Sequence, residues 1–210
     1  EFGYYSNAAL GNNVVAGLGP IPPGANMPAA WTVYLASDDV DADCAKVGAL
    51  GGQVMTPPMT IGEFGRMAIC VDPTGAVFGM WESNQHIGAV ITDEHGTMTW
   101  HEVNSREAAK ARDFYCALHG QTSQLMPTME YYMLNIGSKT VAGVLQMDAQ
   151  WEGIPPHWML YFAVNNTDAT IEQAVALGGK MLVPAFDTPF GRVAVLSDPQ
   201  GASFSVIQLS

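Results

Sequence analysis

The amino-acid sequence predicts an α+β protein made of tandem βαβββ modules, which pair into two cup-shaped, half-barrel domains. Three observations predict this fold: a long internal repeat, helix-spaced apolar residues that follow a strand, and a hairpin turn signal present in both copies. A helix packed on one face of each sheet leaves the other face uncovered. Two such sheets that curve toward each other would form a cup, the default place for a ligand.

The internal repeat relates the segment that begins at Tyr34 to the segment that begins at Tyr161. In each copy an aromatic strand is followed, in the same order, by Asp-Ala, Ala-Leu-Gly-Gly, a proline, Phe-Gly-Arg and Asp-Pro-x-Gly. A shorter repeated motif relates Val15-Ala16-Gly17 to Val141-Ala142-Gly143, and each of these follows a Tyr-Tyr pair. The sequence therefore predicts two long repeats of two modules each, and the first strand and helix of the first module are expected before Glu1.

The helices are predicted from apolar residues at helical spacing. In the second module a strand over Trp31–Ser37 leads into a helix over Val40–Leu50, and Gly51 suits a left-handed C-cap. The third and fourth modules have comparable patterns over Arg106–Leu118 and Ala169–Leu177. Each helix is expected to cover the sheet of its own module.

The strands after the helix are predicted from turn chemistry. A proline-rich loop is expected to precede a strand over Gly65–Val71, and a second strand follows over Ala76–Glu82. Between these strands, Asp72-Pro73-Thr74-Gly75 has the residue preferences of a type I turn. The first domain is then expected to span residues 1–83 and the second residues 96–210, with residues 84–95 as a linker.

Composition excludes several classes of partner. The chain of 210 residues has a net charge of −12 and eight Lys and Arg residues, so phosphate backbones and anionic lipid surfaces are unfavourable partners. No apolar run is long enough to span a membrane. The three cysteines stand far apart, without metal-ligand or disulfide spacing, which favours a cytoplasmic protein. A small-molecule ligand is the expected partner, and a homo-oligomer remains an open alternative.

Two stretches carry a family resemblance. Asp72-Pro-Thr-Gly-Ala-Val-Phe-Gly-Met-Trp81 and Trp100-His-Glu-Val-Asn104, on paired βαβββ modules, resemble the vicinal-oxygen-chelate superfamily. This superfamily includes glyoxalases, bleomycin-resistance proteins and extradiol dioxygenases, and the stretches are most similar to a four-module bacterial branch that is labelled glyoxalase-like or hydroxylase. The resemblance implies the fold but no single function, because this fold hosts enzymes and non-catalytic drug binders.

The resemblance also implies where metal ligands would stand, early in the first strand and within the last strand of a module. The first-strand positions hold Thr32, Met98 and Met159, and the last-strand positions hold Gly17, Gly79, Gly143 and Ser205. None of these offers the imidazole, carboxylate or thiolate that a divalent metal ion requires, so no metal and no other cofactor is expected. Glu82 and Gln208 would reach such positions only after a three-residue shift of register.

The candidate site residues follow from strand alternation. Met98, Trp100 and Glu102 share one face of a strand, and the resemblance turns this face toward the cup, with His101 on the opposite, helix-covered face. Glu102 is the candidate catalytic residue, as a general base or a hydrogen-bond acceptor. The alternative is a carboxylate that is paired with a neighbouring Arg or exposed at the cup mouth, because structural ion pairs also place carboxylates in clefts. The predicted ligand-binding set is Tyr34, Met98, Trp100, Glu102, Tyr132, Met159 and Tyr161.

Taken singly, each of these residues is better explained as ordinary core. As a set on an uncovered sheet face, they would form an aromatic and thioether lining, which suits a flat apolar ligand. Arg66 and Arg192 could clamp an anion or form structural ion pairs with acidic neighbours. His157 shares the alternation of Tyr161 and could lie at the cup rim. The first function hypothesis is metal-independent binding of a small apolar or aromatic drug or natural product, in resistance or secondary metabolism. The alternatives are a tailoring enzyme (hydroxylase, lyase or isomerase) that uses Glu102, and a metal-dependent glyoxalase or dioxygenase.

Overall fold

The computed structural model describes residues 5–25 and 27–210. In chain order its strands and helices are β1 (Ser6–Leu10), β2 (Asn13–Leu18), β3 (Tyr34–Ala36), α1 (Val40–Ala49), β4 (Gln53–Ile61), β5 (Gly65–Val71), β6 (Val77–Ser83), β7 (Met98–Ser105), α2 (Ala108–His119), β8 (Thr122–Leu125), β9 (Tyr131–Ile136), β10 (Lys139–Gln146), β11 (His157–Ala163), α3 (Thr167–Ala176), β12 (Lys180–Thr188), β13 (Gly191–Ser197) and β14 (Ser203–Leu209). The predicted α+β class is confirmed.

The described chain forms two compact units. The first unit comprises residues up to 31, residues 88–100 and residues 159–210, and the second comprises residues 32–87 and 101–158. These units combine segments that are distant along the chain. They divide the chain differently from the predicted domains 1–83 and 96–210, and that division stays a prediction.

The second unit contains two strand sets, to one of which β7 contributes its residues 101–105, and two helices. One sheet has the order β3-β6-β5-β4, with β3 parallel to β6, and the other strand set has the order β7-β10-β9-β8, with β10 parallel to β7. Both sets contribute to one apolar core with α1 and α2, in which Phe78 of β6 packs edge-on against Phe114 and Tyr115 of α2. The two helices thus lie between the two strand sets, and each set keeps one face that no helix covers.

The first unit has a smaller core. It contains the antiparallel hairpin β1–β2 and the strand order β12-β13-β14-β11 with α3. Ala194, Leu196 and Val206 form the buried cluster beneath α3. Beside it, Trp31 makes edge contacts with two phenylalanines, at ring centroid distances of 5.2 and 6.5 Å.

The turn and cap signals of the sequence have a clear structural basis. Asp39 and Asn166 cap α1 and α3, because each side chain accepts a hydrogen bond from the backbone N–H three residues later. Gly51 takes φ +85°, as expected for a left-handed C-cap. Asp72 Oδ1 accepts hydrogen bonds from three successive backbone N–H groups of its turn, at 2.7 to 3.1 Å.

The predicted proline-rich loop before β5 is wrong. Residues Gln53–Ile61, which include Pro57 and Pro58, form strand β4 at the edge of the sheet. An edge strand tolerates proline, because one row of its backbone groups has no partner strand. The register shifts on either side of Thr56 show how β4 accommodates the prolines while it pairs with β5.

No helix within residues 5–25 and 27–210 is long and apolar enough to cross a membrane, and the longest, α2, has 12 residues.

Candidate functional site

The modules share one relationship between their first and last strands. In each module with a described first strand, a first-strand residue pairs in parallel with a last-strand residue: Tyr34 with Gly79, Glu102 with Gly143, and Tyr161 with Ser205. These pairs occupy equivalent positions. The third module therefore carries a carboxylate where the second and fourth carry a tyrosine.

Glu102 is buried and hydrogen-bonded. Its side chain is 5% exposed, and the hydroxyl of Tyr131 donates to Glu102 Oε2 at 2.8 Å. Tyr131 reaches this carboxylate across Gly143: a Cβ atom at Gly143 would lie 1.8 Å from the tyrosine oxygen. The glycine is thus required by the close approach of the phenol, since any side chain there would displace it.

A second polar pair lies two residues further along β7. The side chain of Asn104, 1% exposed, contacts His157 through Nδ2 and Nε2 at 3.2 Å. The other ring nitrogen of His157, Nδ1, is 2.8 Å from the carbonyl oxygen of Pro155. Burial lowers the pKa of His157, so its neutral form is favoured near pH 7.

These residues share one face of the strand set. Val103, Tyr132, Leu134, Ala142 and Val144 pack in the core with α2, so the residues that alternate with them point the other way. We call this the helix-free face; by strand register it comprises Glu102, Asn104, Tyr131, Met133, Gly143 and Leu145. It combines polar groups with an aromatic ring, a thioether and a leucine.

The other sheet of the second unit has an aromatic surface on its helix-free side. The ring of Tyr34 lies over Gly79, where an added Cβ would come within 2.4 Å of it. Tyr34 contacts Trp81 edge-on, with centroids 6.4 Å apart, and its hydroxyl lies 3.8 Å from the sulfur of Met67. Tyr34 remains 44% exposed, so this surface is accessible.

Tyr132 lies on the face opposite to the one predicted. It is buried in the core with α2, and the guanidinium of Arg112 stands 4.7 Å above its ring. Its neighbour Tyr131 points to the helix-free face instead. His101 lies on the helix-covered side, as expected, where it packs 5.7 Å from the ring of Trp158, and burial lowers its pKa to about 4.

The remaining predicted ligand residues belong to the first unit. Met98 and Trp100 stand at the start of β7, while Met159 and Tyr161 stand on β11. Met159 is 5% exposed and the other three are partly buried. Tyr34, Glu102 and Tyr132 lie in the second unit.

Glu82 and Gln208, the two last-strand residues considered as metal ligands, have a structural role instead. Glu82 Oε2 accepts a hydrogen bond from the first N–H of α1 at 2.9 Å. Gln146 Oε1 does the same for α2 at 3.1 Å, and Gln208 Oε1 for α3 at 3.4 Å. Each of these three modules thus uses the end of its last strand to satisfy a free N–H at the start of its helix.

The repeated arginines form ion pairs. Arg66 contacts Asp41 at 2.6 Å and Glu82 at 3.5 Å. Arg192 contacts Asp168 at 2.9 Å and Asp187 at 3.1 Å. In both modules the arginine joins a strand to the first turn of the helix, which agrees with the structural interpretation of these residues.

Other features of the described residues point to no further centre. Across residues 5–25 and 27–210, no three His, Cys, Asp or Glu side chains come together as a group that could hold a metal ion. The second unit has a groove of about 250 Å³ beside Arg66 and Ser83 and another of about 680 Å³ beside Leu50 and Lys110. Neither is lined by a residue of the predicted ligand-binding set.

Comparison with known proteins identifies the family. Residues 100–207 match the family model of the glyoxalase-like domain. The chain is also 45% identical, over 98% of its length and 80% of the relative, to the Mycobacterium bovis protein named "Putative glyoxylase CFP32". The chain belongs to the glyoxalase-like family of the vicinal-oxygen-chelate superfamily. The resemblance seen in the sequence is thereby confirmed.

Two further comparisons concern a relative in sequence and a solved structure of similar fold. It is 40% identical to the anthracycline biosynthesis protein DnrV of Streptomyces peucetius, over 87% of the chain and 67% of the relative. Its fold is similar to that of the Mn(II)-bound glyoxalase from Novosphingobium aromaticivorans, with a TM-score of 0.59 and 14% identity over 83% of the chain. The chain spans 61% of that structure, and the likeness shows the fold alone.

Sequence reasoning missed Tyr131, Asn104 and Trp81. For Tyr131 a signal was available, because the offset that relates Gly17 to Gly143 also relates Tyr5 to Tyr131. The structure shows the same contact in both places, since a Cβ at Gly17 would lie 1.8 Å from the hydroxyl oxygen of Tyr5. Asn104 shares the alternation of Glu102 and could have been included on that ground.

Proposed function

We propose that this glyoxalase-like chain binds a small aromatic molecule without a metal ion, in secondary metabolism or in resistance to that molecule. The observation that carries the proposal is the contact of Tyr131 with Glu102 across Gly143. It sets a hydrogen-bonded carboxylate and phenol on β7 and β9, with the phenol in the space beside Gly143 of the last strand.

The donor chemistry supports metal independence. Gly143, at the last-strand position, has no side chain to offer, and the phenol of Tyr131 fills the space beside it. Glu102 is then one carboxylate next to a phenol, an amide and an imidazole that is engaged with that amide. Metal sites need several ligands that converge on one point, which this arrangement does not supply.

The helix-free face supports an aromatic ligand. The ring of Tyr131, the thioether of Met133 and the side chain of Leu145 offer apolar surface beside the polar groups of Glu102 and Asn104. Binding sites of small molecules commonly combine an apolar lining with a few polar groups. The relative named for anthracycline biosynthesis supports the same class, because anthracyclines contain fused aromatic rings.

The proposal is tested by titrating 1,4-dihydroxyanthraquinone into the purified chain, with and without prior treatment with EDTA. We expect saturable binding with a micromolar Kd that the chelator leaves unchanged. Glu107→Gln, a substitution on the exposed start of α2, is the control variant and should bind like the parent. Absence of binding, or binding only after Mn²⁺ is added, would overturn the proposal.

An enzymatic role is the second candidate, favoured by the burial of Glu102 against a phenol. A buried carboxylate in such a place can act as a general acid or base. Incubation of the same anthraquinone followed by mass spectrometry and chromatography distinguishes the two roles. A chemical change that is lost in Glu102→Gln would favour the enzyme, whereas an unchanged probe that Glu102→Gln still binds would favour the binding protein.

A further inference from the structure

A buried hydrogen-bond acceptor on the helix-free face has no partner among the described residues. Asn104 Oδ1 is inaccessible to solvent and makes no hydrogen bond to any group in residues 5–25 and 27–210. Buried polar atoms are normally paired, because an unpaired one has lost its bonds to water without replacement. Such an atom beside a candidate ligand site needs an explanation.

The orientation of the Asn104 amide follows from its neighbour. His157 Nδ1 faces the carbonyl of Pro155 and must carry the proton, since a carbonyl only accepts. In the neutral ring, Nε2 is then an acceptor, so the group of Asn104 that faces it is the NH₂. Oδ1 is thereby turned away from His157, and the assignment does not depend on distinguishing N from O by position alone.

The unpaired oxygen lies beside the other groups of the proposed site. Asn104 pairs with Leu145 of β10, and Leu145 pairs with Tyr131 of β9. Glu102, two residues earlier on the same face, is a second acceptor group. This part of the face is therefore rich in acceptors and suits a ligand that donates hydrogen bonds.

We infer that Asn104 selects the ligand: its Oδ1 accepts a hydrogen bond from a hydroxyl or N–H group on the aromatic molecule. The inference rests on the proposed function and adds the chemical class of the ligand, a hydroxylated or amino-substituted aromatic compound. A methyl ether at the same place would bring its own lone pairs against Oδ1 and lose the interaction. His157 is a positioning residue, because it acts through the amide.

The segment between β10 and β11 is held next to His157, the neighbour of Asn104. His157 is partly exposed, and its Nδ1 is bonded to Pro155 of this segment. Arg106 holds the segment by donating to the carbonyl oxygens of Trp151 and Ile154 at 2.6 and 2.8 Å.

The test compares 2-naphthol with 2-methoxynaphthalene, which share one aromatic body and differ in the donor. Calorimetric titration of the parent chain at pH 7.5 (about one unit above the ordinary histidine pKa) should give about tenfold tighter binding of 2-naphthol, the effect of one hydrogen bond. Asn104→Leu should remove this preference. Asn135→Leu, the same substitution on β9 where the amide is paired with Thr140, should keep it.

Each outcome bears on the inference. Equal affinities of the two probes in the parent chain, or a preference that survives in Asn104→Leu, would overturn the inference while leaving the proposed function intact. Failure of both probes to bind would overturn both. Asn104→Ala also removes the oxygen, with a smaller side chain, and should also lose the preference, so it decides the matter if Asn104→Leu does not fold. A preference that persists in a folded Asn104→Ala chain would also count against the inference.

Discussion

The hydroxyl of Tyr131 occupies the space that a side chain at Gly143 would fill, and from there it donates a hydrogen bond to the buried carboxylate of Glu102. Three strands are involved in this contact, because Glu102, Gly143 and Tyr131 come from β7, β10 and β9. The contact makes the glycine as necessary as the two polar residues.

Gly143→Ala should therefore destabilise the chain. The new methyl group would displace Tyr131 and leave the Glu102 carboxylate buried without its phenol partner, at a cost of about 2–3 kcal/mol in the free energy of unfolding. Urea denaturation measures this cost. Gly48→Ala is the control: Gly48 lies in α1 with nothing within 4 Å of a built Cβ, so alanine there should stabilise by about 0.5–1 kcal/mol. Equal effects of the two substitutions would contradict the prediction.

Tyr115→Phe should also destabilise the second unit. The buried hydroxyl of Tyr115 donates to Asp72 Oδ2 and accepts from Trp158 Nε1, both at 2.9 Å. Its removal leaves a carboxylate oxygen and an indole N–H unpaired, with an expected cost of about 2–4 kcal/mol. Thermal and urea unfolding of this variant should be compared with Tyr132→Phe, whose ring packs in the same core. A comparable loss in both would show that the two hydrogen bonds of Tyr115 do not set the cost.

Stability should fall as the pH is lowered from 6.5 toward 4. Burial lowers the pKa of His101 to about 4, and it lowers those of His119 and His157 in the same direction. Between the folded and unfolded pKa values the unfolded chain binds protons that the folded chain does not, so acid favours unfolding. His101 alone should contribute about 3 kcal/mol of loss between pH 7 and pH 4. Urea midpoints at several pH values should show a shallower dependence in His101→Gln; an unchanged dependence would be evidence against this cause.

Glu82 should tolerate glutamine better than alanine. Glu82→Ala removes the acceptor for the first N–H of α1 and a partner of Arg66, with an expected cost of about 1 kcal/mol. Glu82→Gln keeps an acceptor oxygen of the kind that Gln146 and Gln208 supply to α2 and α3, and should cost less than about 0.5 kcal/mol. Chemical denaturation of both variants tests this order, and the reverse order would rule out a capping role.

Arg106→Met should loosen the segment between β10 and β11. The guanidinium is bonded to two carbonyl groups of this segment, and methionine keeps the apolar stem without the donors. Hydrogen exchange of residues 147–156 should become faster, because local opening costs less free energy. Lys110→Met, which removes a cation paired with Glu107 on α2, should leave this exchange unchanged.

Turn and capping residues in the sequence predicted the bounds of strands and helices well where a single local preference set them. Strand β5 has the predicted bounds Gly65–Val71, and α1 begins at Val40 as expected, directly after its capping residue Asp39. Strand β4 was missed because its two prolines indicate a loop by local preference, while the sheet edge allows them. The position of β4 at the edge of the sheet allows the prolines, and the local sequence does not reveal that position.

The site was predicted less completely than the fold. Alternation along β7 set Glu102 apart from His101, and the structure has them on opposite faces. In a pair such as Tyr131-Tyr132, however, both residues are large and aromatic, so local sequence does not show which one points to the helix. The polar contact between Asn104 and His157 joins residues far apart in the chain, and no spacing rule predicts it.

In the second, third and fourth modules, the last strand pairs in parallel with the first strand and also caps the helix. The first and last strands of each of these modules therefore hold the module together. This arrangement uses backbone pairing and the capping side chain, and not the side chain of the first-strand residue that points away from the helix. Copies of the module can therefore diverge at that one point without weakening their own closure, and they do so here as Tyr34, Glu102 and Tyr161. A repeated scaffold of this kind can take up a new ligand in one copy while its other copies keep their original chemistry.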